Sequence, residues 1–273
     1  MDIGYLGIST KVIDELNKED YNFINISTTP RRIYDVVIYN KELSAEESTF
    51  YNMFKIPVVI GSTVNDLELK LILAKESIKP KSNRLLKYSR IIDEHMFIIE
   101  KIELVESEEI GHSLRVAMYA KLLGEKMHLS EGAVLDIYVG ALLHDIGKIY
   151  IPKELLSKKA PLSKSEYEVV KKHSVYGYEL LKYALPENIT EMIKYHHIRE
   201  NNLSYPDNNS ISLGAKIIAI VDTYDTLVTK RVYNKTLTKN EAIKKLIDES
   251  TYNGKDKIRF DPYLVDLFVN IIK

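Results

Sequence analysis

Residues Gly140–Lys148 read GALLHDIGK and close the nearly all-apolar run Val134–Leu143, VLDIYVGALL. A helix apolar on most sides is a buried helix. A histidine and an aspartate side by side at the end of such a helix cost several kcal/mol to bury unless something pairs with them. On a regular helical turn His144 and Asp145 point about 100° apart, so they reach one centre only if it lies beyond the helix end. Gly147 reads as that end, and Lys148 sets a cation beside it. A buried His–Asp hydrogen bond is the plain alternative when this pair is taken alone.

Outward from this stretch, other polar side chains pose the same problem. Glu108 and His112 are spaced i, i+4 and share one helix face. That is the ligand geometry of helical metal sites, with a polar surface pair as the alternative. His173 lies on a helix opened by the capping-box pattern Ser163–Glu166, behind Pro161. His196 and His197 close the helical run Asn188–His197, NITEMIKYHH, and Asp222 sits within Ile211–Val228, ISLGAKIIAIVDTYDTLV. His95 and His128 read as ordinary. One polynuclear metal centre would satisfy the buried set together. Imidazole with carboxylate suits iron, manganese, zinc or nickel, and so many donors call for two or three ions. Paired ions about 3.5–4 Å apart hold a bridging hydroxide as nucleophile and clamp the oxygens of a phosphoryl centre.

The composition narrows the field. A chain of 273 residues with 45% hydrophobic residues is long for one compact domain, is comfortable for two and builds a sizeable core. Its 38 basic and 39 acidic residues nearly cancel, which removes the electrostatic case for a nucleic-acid polymer as partner. With no cysteine, thiolate metal sites and disulfides are excluded, so any metal is held by nitrogen and oxygen. No apolar run approaches the roughly 20 residues that span a bilayer, and the N-terminus lacks a basic leader. The expected location is cytoplasmic, away from the membrane.

The overall fold class expected is α+β, in two parts. Over residues 1–80, GYLGI, YNFINI, DVVIY and IPVVIG alternate with helical runs, the order of a small α/β domain with a parallel sheet. Pro80 marks a boundary. Residues 81–107 form a linker, within an amphipathic helix expected from Arg84 to Glu109 that packs on its own chain or pairs two subunits as a homodimer. Residues 108–273 are expected to be all-α.

Taken in order, these motifs resemble the HD-GYP domain, a subgroup of the HD phosphohydrolases, over residues 108–270. His112 with Arg115-Val116 looks like the family's H-x-x-R-V. HDIGKIYIP matches, as does IPKELLSKKAPLSKSEYEVVKKHSVYG, with Lys158, Leu162, Glu166, His173 and Gly177 in register. SLGAKIIAIVDTYDTLVTKRVYNK and FDPYLVDLF resemble its closing segments. The resemblance implies a phosphodiesterase that cleaves cyclic di-GMP to pGpG or GMP at two or three divalent ions, iron or manganese. Carried over by position, the metal ligands are Glu108, His112, His144, Asp145, His173, His196, His197 and Asp222, with Glu108 serving only a third ion. Asp145 and Lys148 are the implied catalytic residues, and Lys148, Arg231 and Tyr205 the implied substrate-binding ones.

The namesake motif departs from the family. H-H-E-x-x-D-G-x-G-Y-P is here His196-His197-Ile198-Arg199-Glu200-Asn201-Asn202-Leu203-Ser204-Tyr205-Pro206, and a second basic position after Arg231 is Asn234. In the family this loop borders the substrate and contacts diguanylate cyclase partners. Three readings therefore stand: a cyclic di-GMP phosphodiesterase, a hydrolase of another cyclic dinucleotide, and a non-catalytic cyclic-dinucleotide receptor or scaffold. An HD hydrolase of mononucleotides or ppGpp is disfavoured, because such proteins lack counterparts of His173, His196 and His197. Residues 1–75 resemble a shortened receiver domain in which Asn40 stands at the phosphate-accepting position, with a structural or dimerising module as the plain alternative.

Overall fold

The computed structural model describes residues 2–6, 22–25, 36–39, 58–60, 83–107, 111–197, 211–229, 236–251 and 259–272. The chain divides into two compact units, Met1–Met96 and Phe97–Lys273.

In the first unit, β1 (Asp2–Leu6), β2 (Asn22–Asn25), β3 (Val36–Tyr39) and β4 (Val58–Ile60) form one parallel sheet in the order β2-β1-β3-β4. Ile3 lies opposite both Phe23 and Val36, and Ile38 opposite Val59. Each strand falls within or beside a β-like run of the sequence. VVIY and VVI are short, branched and continuously apolar, the composition of strands in parallel sheets. The helices expected between these strands lie outside the described residues. Helix α1 (Asn83–Ser107) follows the expected amphipathic pattern. Tyr88, Ile91 with its neighbour Ile92, Met96, Ile99 and Ile102 follow a helical period and are buried, while Phe97 and Leu104 are exposed.

The second unit is helical throughout its described residues. After α1 come α2 (His112–Lys126), α3 (Glu131–Leu143), a 3₁₀ turn (Ile146–Tyr150), α4 (Lys153–Leu156), α5 (Lys164–Lys171) and α6 (His173–Leu181). The chain continues with α7 (Glu187–Tyr195), α8 (Leu213–Val228), α9 (Lys239–Ser250) and α10 (Pro262–Ile272). Their starts are written locally. Ser130, Ser212 and Thr238 accept from backbone amides at the starts of α3, α8 and α9. Ser163 and Glu166 close the expected capping box on α5. Glu103 reaches from α1 to accept from the amides of Gly111 (2.6 Å) and Ser113 (2.7 Å), so a carboxylate caps the positive end of α2.

Helix α2 packs against α3, α8 and α10, and α7 packs against both α3 and α6. Tyr138, Leu142 and Leu143 of α3, Ile217 and Ile218 of α8, and Phe268 of α10 are fully buried. Burying each such side chain contributes about 1.5–3 kcal/mol. Asp136, the one acid within the apolar run of α3, is satisfied by the Asn188 amide at 2.8 Å. No described helix is long and apolar enough to cross a membrane.

Candidate metal centre

Helix α3 ends earlier than expected. Leu143 is its last residue, His144 is still helical (φ −55°, ψ −36°), and Asp145 (φ −96°, ψ 2°) turns the chain into the 3₁₀ segment. That change of winding brings the pair together, with His144 Nε2 3.2 Å from Asp145 Oδ2. Gly147 is therefore not the helix terminator. A Cβ there would run into the carbonyl of His173 and the backbone of Gly177, so it is glycine because α6 lies directly against the turn. This contact sets the start of α6, and with it His173, beside Asp145.

Three histidines share one local device. His144, His173 and His196 each follow the end of a helix (α3, α5 and α7). Each places Nδ1 at 2.6–2.7 Å from a carbonyl three residues back, that of Ala141, Val170 and Ile193 respectively. Carbonyls in the last turn of a helix are open to such a donor. A carbonyl only accepts, so Nδ1 carries the proton, and in the neutral ring the Nε2 lone pair faces the site. His112 is different. Its Nδ1 lies 2.7 Å from Asp225 Oδ2.

The donor atoms form two groups, His112, His144 and Asp222 in one and Asp145, His173, His196 and His197 in the other, each spanning no more than 4.8 Å. In the first, His112 Nε2 is 3.2 Å from Asp222 Oδ1. In the second, His173 Nε2 is 3.3 Å from both Asp145 Oδ1 and His196 Nε2, and 3.0 Å from His197 Nε2. Asp145 faces both groups, since its other oxygen lies 3.2 Å from His144. Bonds of about 2.0–2.2 Å at right angles around one ion would put neighbouring donors about 3 Å apart. Close-packed acceptor nitrogens make poor neighbours without a cation between them. His144 Nε2, moreover, is fully buried with no hydrogen bond. The residues fit divalent ions in type, spacing and protonation. Either group could hold an ion.

The electrostatics agree. Burial pushes the Asp145 carboxyl up, but His144 and Lys148 outweigh it and hold it well below the usual range. Burial likewise opposes ionisation of Asp222, and the His112 hydrogen bond with the charge of His144 brings it well below its ordinary value. Burial drives the imidazoles of the second group down: His173, His196 well below its usual value with help from its neighbouring rings, and His197 to about 3. His144 goes the other way. Burial lowers it, but the Asp145 and Asp222 carboxylates raise it overall. In the second group, an ionised carboxylate beside neutral imidazoles is the state in which ligands bind metal. The side chains of His197 and Asp222 are half-buried while the others are buried, so the centre opens on their side.

Lys148 is buried beside the centre, 2.7 Å from Asp145 Oδ2 and 2.8–2.9 Å from the Glu106 carboxylate. The structure thus brings together His112, His144, Asp145, Lys148, His173, His196, His197 and Asp222. Glu108, Tyr205, Arg231, Asn234 and the altered stretch after His197 lie outside the described residues. The reading missed Asp225 and Glu106, and named Arg115 only as part of a motif. Asp225 carried a signal, being a second carboxylate on the apolar helix that holds Asp222. Glu106 lies in a charged stretch and carried none.

An HD domain family profile matches residues 97–263. The chain is 35% identical over 158 residues to the cyclic di-GMP phosphodiesterase response regulator RpfG of Xanthomonas campestris, covering 56% of this chain and 40% of that protein. It is 30% identical over 174 residues to 3'3'-cGAMP-specific phosphodiesterase 2 of Vibrio cholerae, covering 62% and 32%. The solved structure of Bd1817, an HDG"Y"P protein from Bdellovibrio bacteriovorus, is similar in fold. Its TM-score is 0.51 at 16% identity, over 84% of this chain and 81% of that one. The chain spans half or less of the length of these curated relatives.

Proposed function

The chain belongs to the HD domain family, and from that premise we propose that it is a metal-dependent phosphodiesterase that hydrolyses cyclic di-GMP to pGpG or GMP. The observation that carries this reading is the pair of donor groups joined at Asp145. On this reading His112, His144 and Asp222 would hold one divalent ion, His173, His196 and His197 would hold a second, and Asp145 would be available to both. Glu108 is the proposed ligand of a third. Iron or manganese is the proposed metal, in keeping with mixed imidazole and carboxylate donors. Paired ions, if bound there, would supply an activated water and neutralise charge on the phosphoryl oxygens.

The chain's own residues do the rest. The Nδ1 hydrogen bonds to helix-end carbonyls hold three rings in orientation, so the site is preorganised. Burial of His144, Asp145 and His173 keeps bulk water away and strengthens every charge interaction inside. Lys148 Nζ, held between Glu106 and Asp145, is the proposed contact to a phosphate oxygen of the substrate. Arg231 and Tyr205 complete the proposed contacts to substrate. The test is anaerobic incubation of the manganese- or iron-loaded protein with cyclic di-GMP, with products separated by chromatography. Linear dinucleotide or GMP is expected. No product at any metal loading overturns the reading.

A second reading, hydrolysis of a mixed cyclic dinucleotide, is favoured by the relative named as specific for 3'3'-cGAMP and by Asn201-Asn202 in place of Asp-Gly. Competition between the two substrates in one reaction separates these readings. Binding of either ligand without cleavage would mark a receptor. The proposed domain limits are 1–80, 81–107 and 108–273. The strand order β2-β1-β3-β4 supports a receiver-like first domain, because flavodoxin-like sheets begin 2-1-3-4. Asn40 argues that its input is not phosphorylation.

A further inference from the structure

Resting on the two-ion reading above, we infer that Asp225, clamped by Arg115, is a positioning residue that makes the His112–His144–Asp222 group the tighter of the two ion sites. Asp225 is 1% exposed, yet it touches no donor atom that faces the centre. Its Oδ2 lies 2.7 Å from His112 Nδ1, on the far side of the ring from Asp222. The carboxylate is in turn gripped by Arg115, with Nε donating to Oδ1 at 2.7 Å and Nη2 to Oδ2 at 3.0 Å. The Thr229 hydroxyl donates to Oδ2 at 3.3 Å and accepts from Arg115 Nη2 at 3.2 Å. His112 and Arg115 are one turn apart on α2, as are Asp222 and Asp225 on α8, so the docking of these two helices assembles the whole chain of contacts.

The difference from the other histidines is chemical. His144, His173 and His196 donate to neutral carbonyls of their own local chain. His112 donates to an ionised group, and such a bond is roughly twice as strong as a neutral one. An imidazole backed by a carboxylate is fixed in tautomer and is a more basic ligand. The first group also contains its own carboxylate, Asp222, whereas the second adds only imidazoles to the shared Asp145. Both differences favour a dication in the first group.

The test is a metal titration of the full chain, stripped by chelator and refilled with manganese, followed by the electron paramagnetic resonance of free and bound ion. Wild-type protein is expected to fill in two classes. In Asp225→Asn, which keeps the shape and removes the charge, the tight class should weaken about 10–100-fold while the weak class stays. Arg115→Lys, which keeps a cation but loses the fork, should shift the same class in the same direction by less. Weakening of both classes together would assign these residues a merely structural role in joining α2 to α8, and would overturn the inference, as would no change in either. Fewer than two ions bound by wild-type protein would instead defeat the two-ion reading on which the inference stands. Should Asp225→Asn not fold, Arg115→Lys decides between the same outcomes.

Discussion

The two halves of the centre are built by different means. In the second group, His173 and His196 are oriented by carbonyls three residues back, so each ring is aimed by its own helix end. In the first, His112 is aimed by Asp225, which is 113 residues away on another helix. His144 mixes the two, locally held yet facing both carboxylates. Local orientation survives as long as a helix forms. Long-range orientation survives only while α2 stays docked on α8. The first half should therefore be the one that fails when tertiary packing loosens.

Replacing the shared residue tests the comparison most severely. Asp145→Asn should abolish turnover and reduce metal content in both groups, read by elemental analysis of protein purified without air. Retention of two ions would mean that Asp145 does not join the halves. His197→Ala and His112→Ala should each remove one ion and leave the other. Loss of both ions from either variant would make the centre one cooperative unit rather than two halves.

Gly147→Ala acts on the second half through the backbone. Its new methyl group meets the His173 carbonyl and the Gly177 backbone, neither of which can rotate away. Overpacking of this kind costs about 1–3 kcal/mol, so a lower Tm and displacement of His173 are expected. Gly140→Ala, whose neighbours include the flexible Met192 side chain, should cost less.

In metal-free protein His144 should respond to pH oppositely to the histidines of the second group. Burial sets the folded-state pKa of His173, His196 and His197 below the ordinary 6.5, that of His197 at about 3. The unfolded chain then binds more protons in that interval, so stability is lost as pH falls below about 6.5. His144 is held above 6.5 by its carboxylates despite burial. Its contribution is fully present below 6.5 and is lost as pH rises through its higher folded-state value. Imidazole resonances followed by NMR should show His144 titrating above the other three. One common midpoint would contradict the opposed environments.

The smallest effect belongs to a cap. Ser212 accepts from the amide of Ala215 at the start of α8, so Ser212→Ala should cost about 1 kcal/mol. Metal stoichiometry should stay unchanged, because Asp222 and Asp225 lie turns away from that end.

Much of this was legible in one dimension. Apolar period marked α1, the capping box marked α5, and branched apolar runs marked β3 and β4. Polar residues stranded on apolar helices pointed to His144, Asp145, His173, His196, His197 and Asp222. The cost of burying them is a local property of composition, so reading along the chain finds it. The end of α3 was misplaced because Gly147 is needed for contact with α6, a fact of packing rather than of turn chemistry. Glu106 and Glu103 stayed hidden because a charged stretch on a helix normally faces water, and only their contacts with Lys148 and with the Gly111 and Ser113 amides show otherwise.

Residue order alone thus marks which buried side chains need a polar or charged partner, since an apolar neighbourhood penalises them otherwise. Which of them share an ion, which carboxylate stands behind His112, and which glutamate holds Lys148 were decided only when separate helices met. Those pairings depend on distances of about 3 Å between residues that can be more than a hundred positions apart, and no periodicity along the chain encodes such a distance.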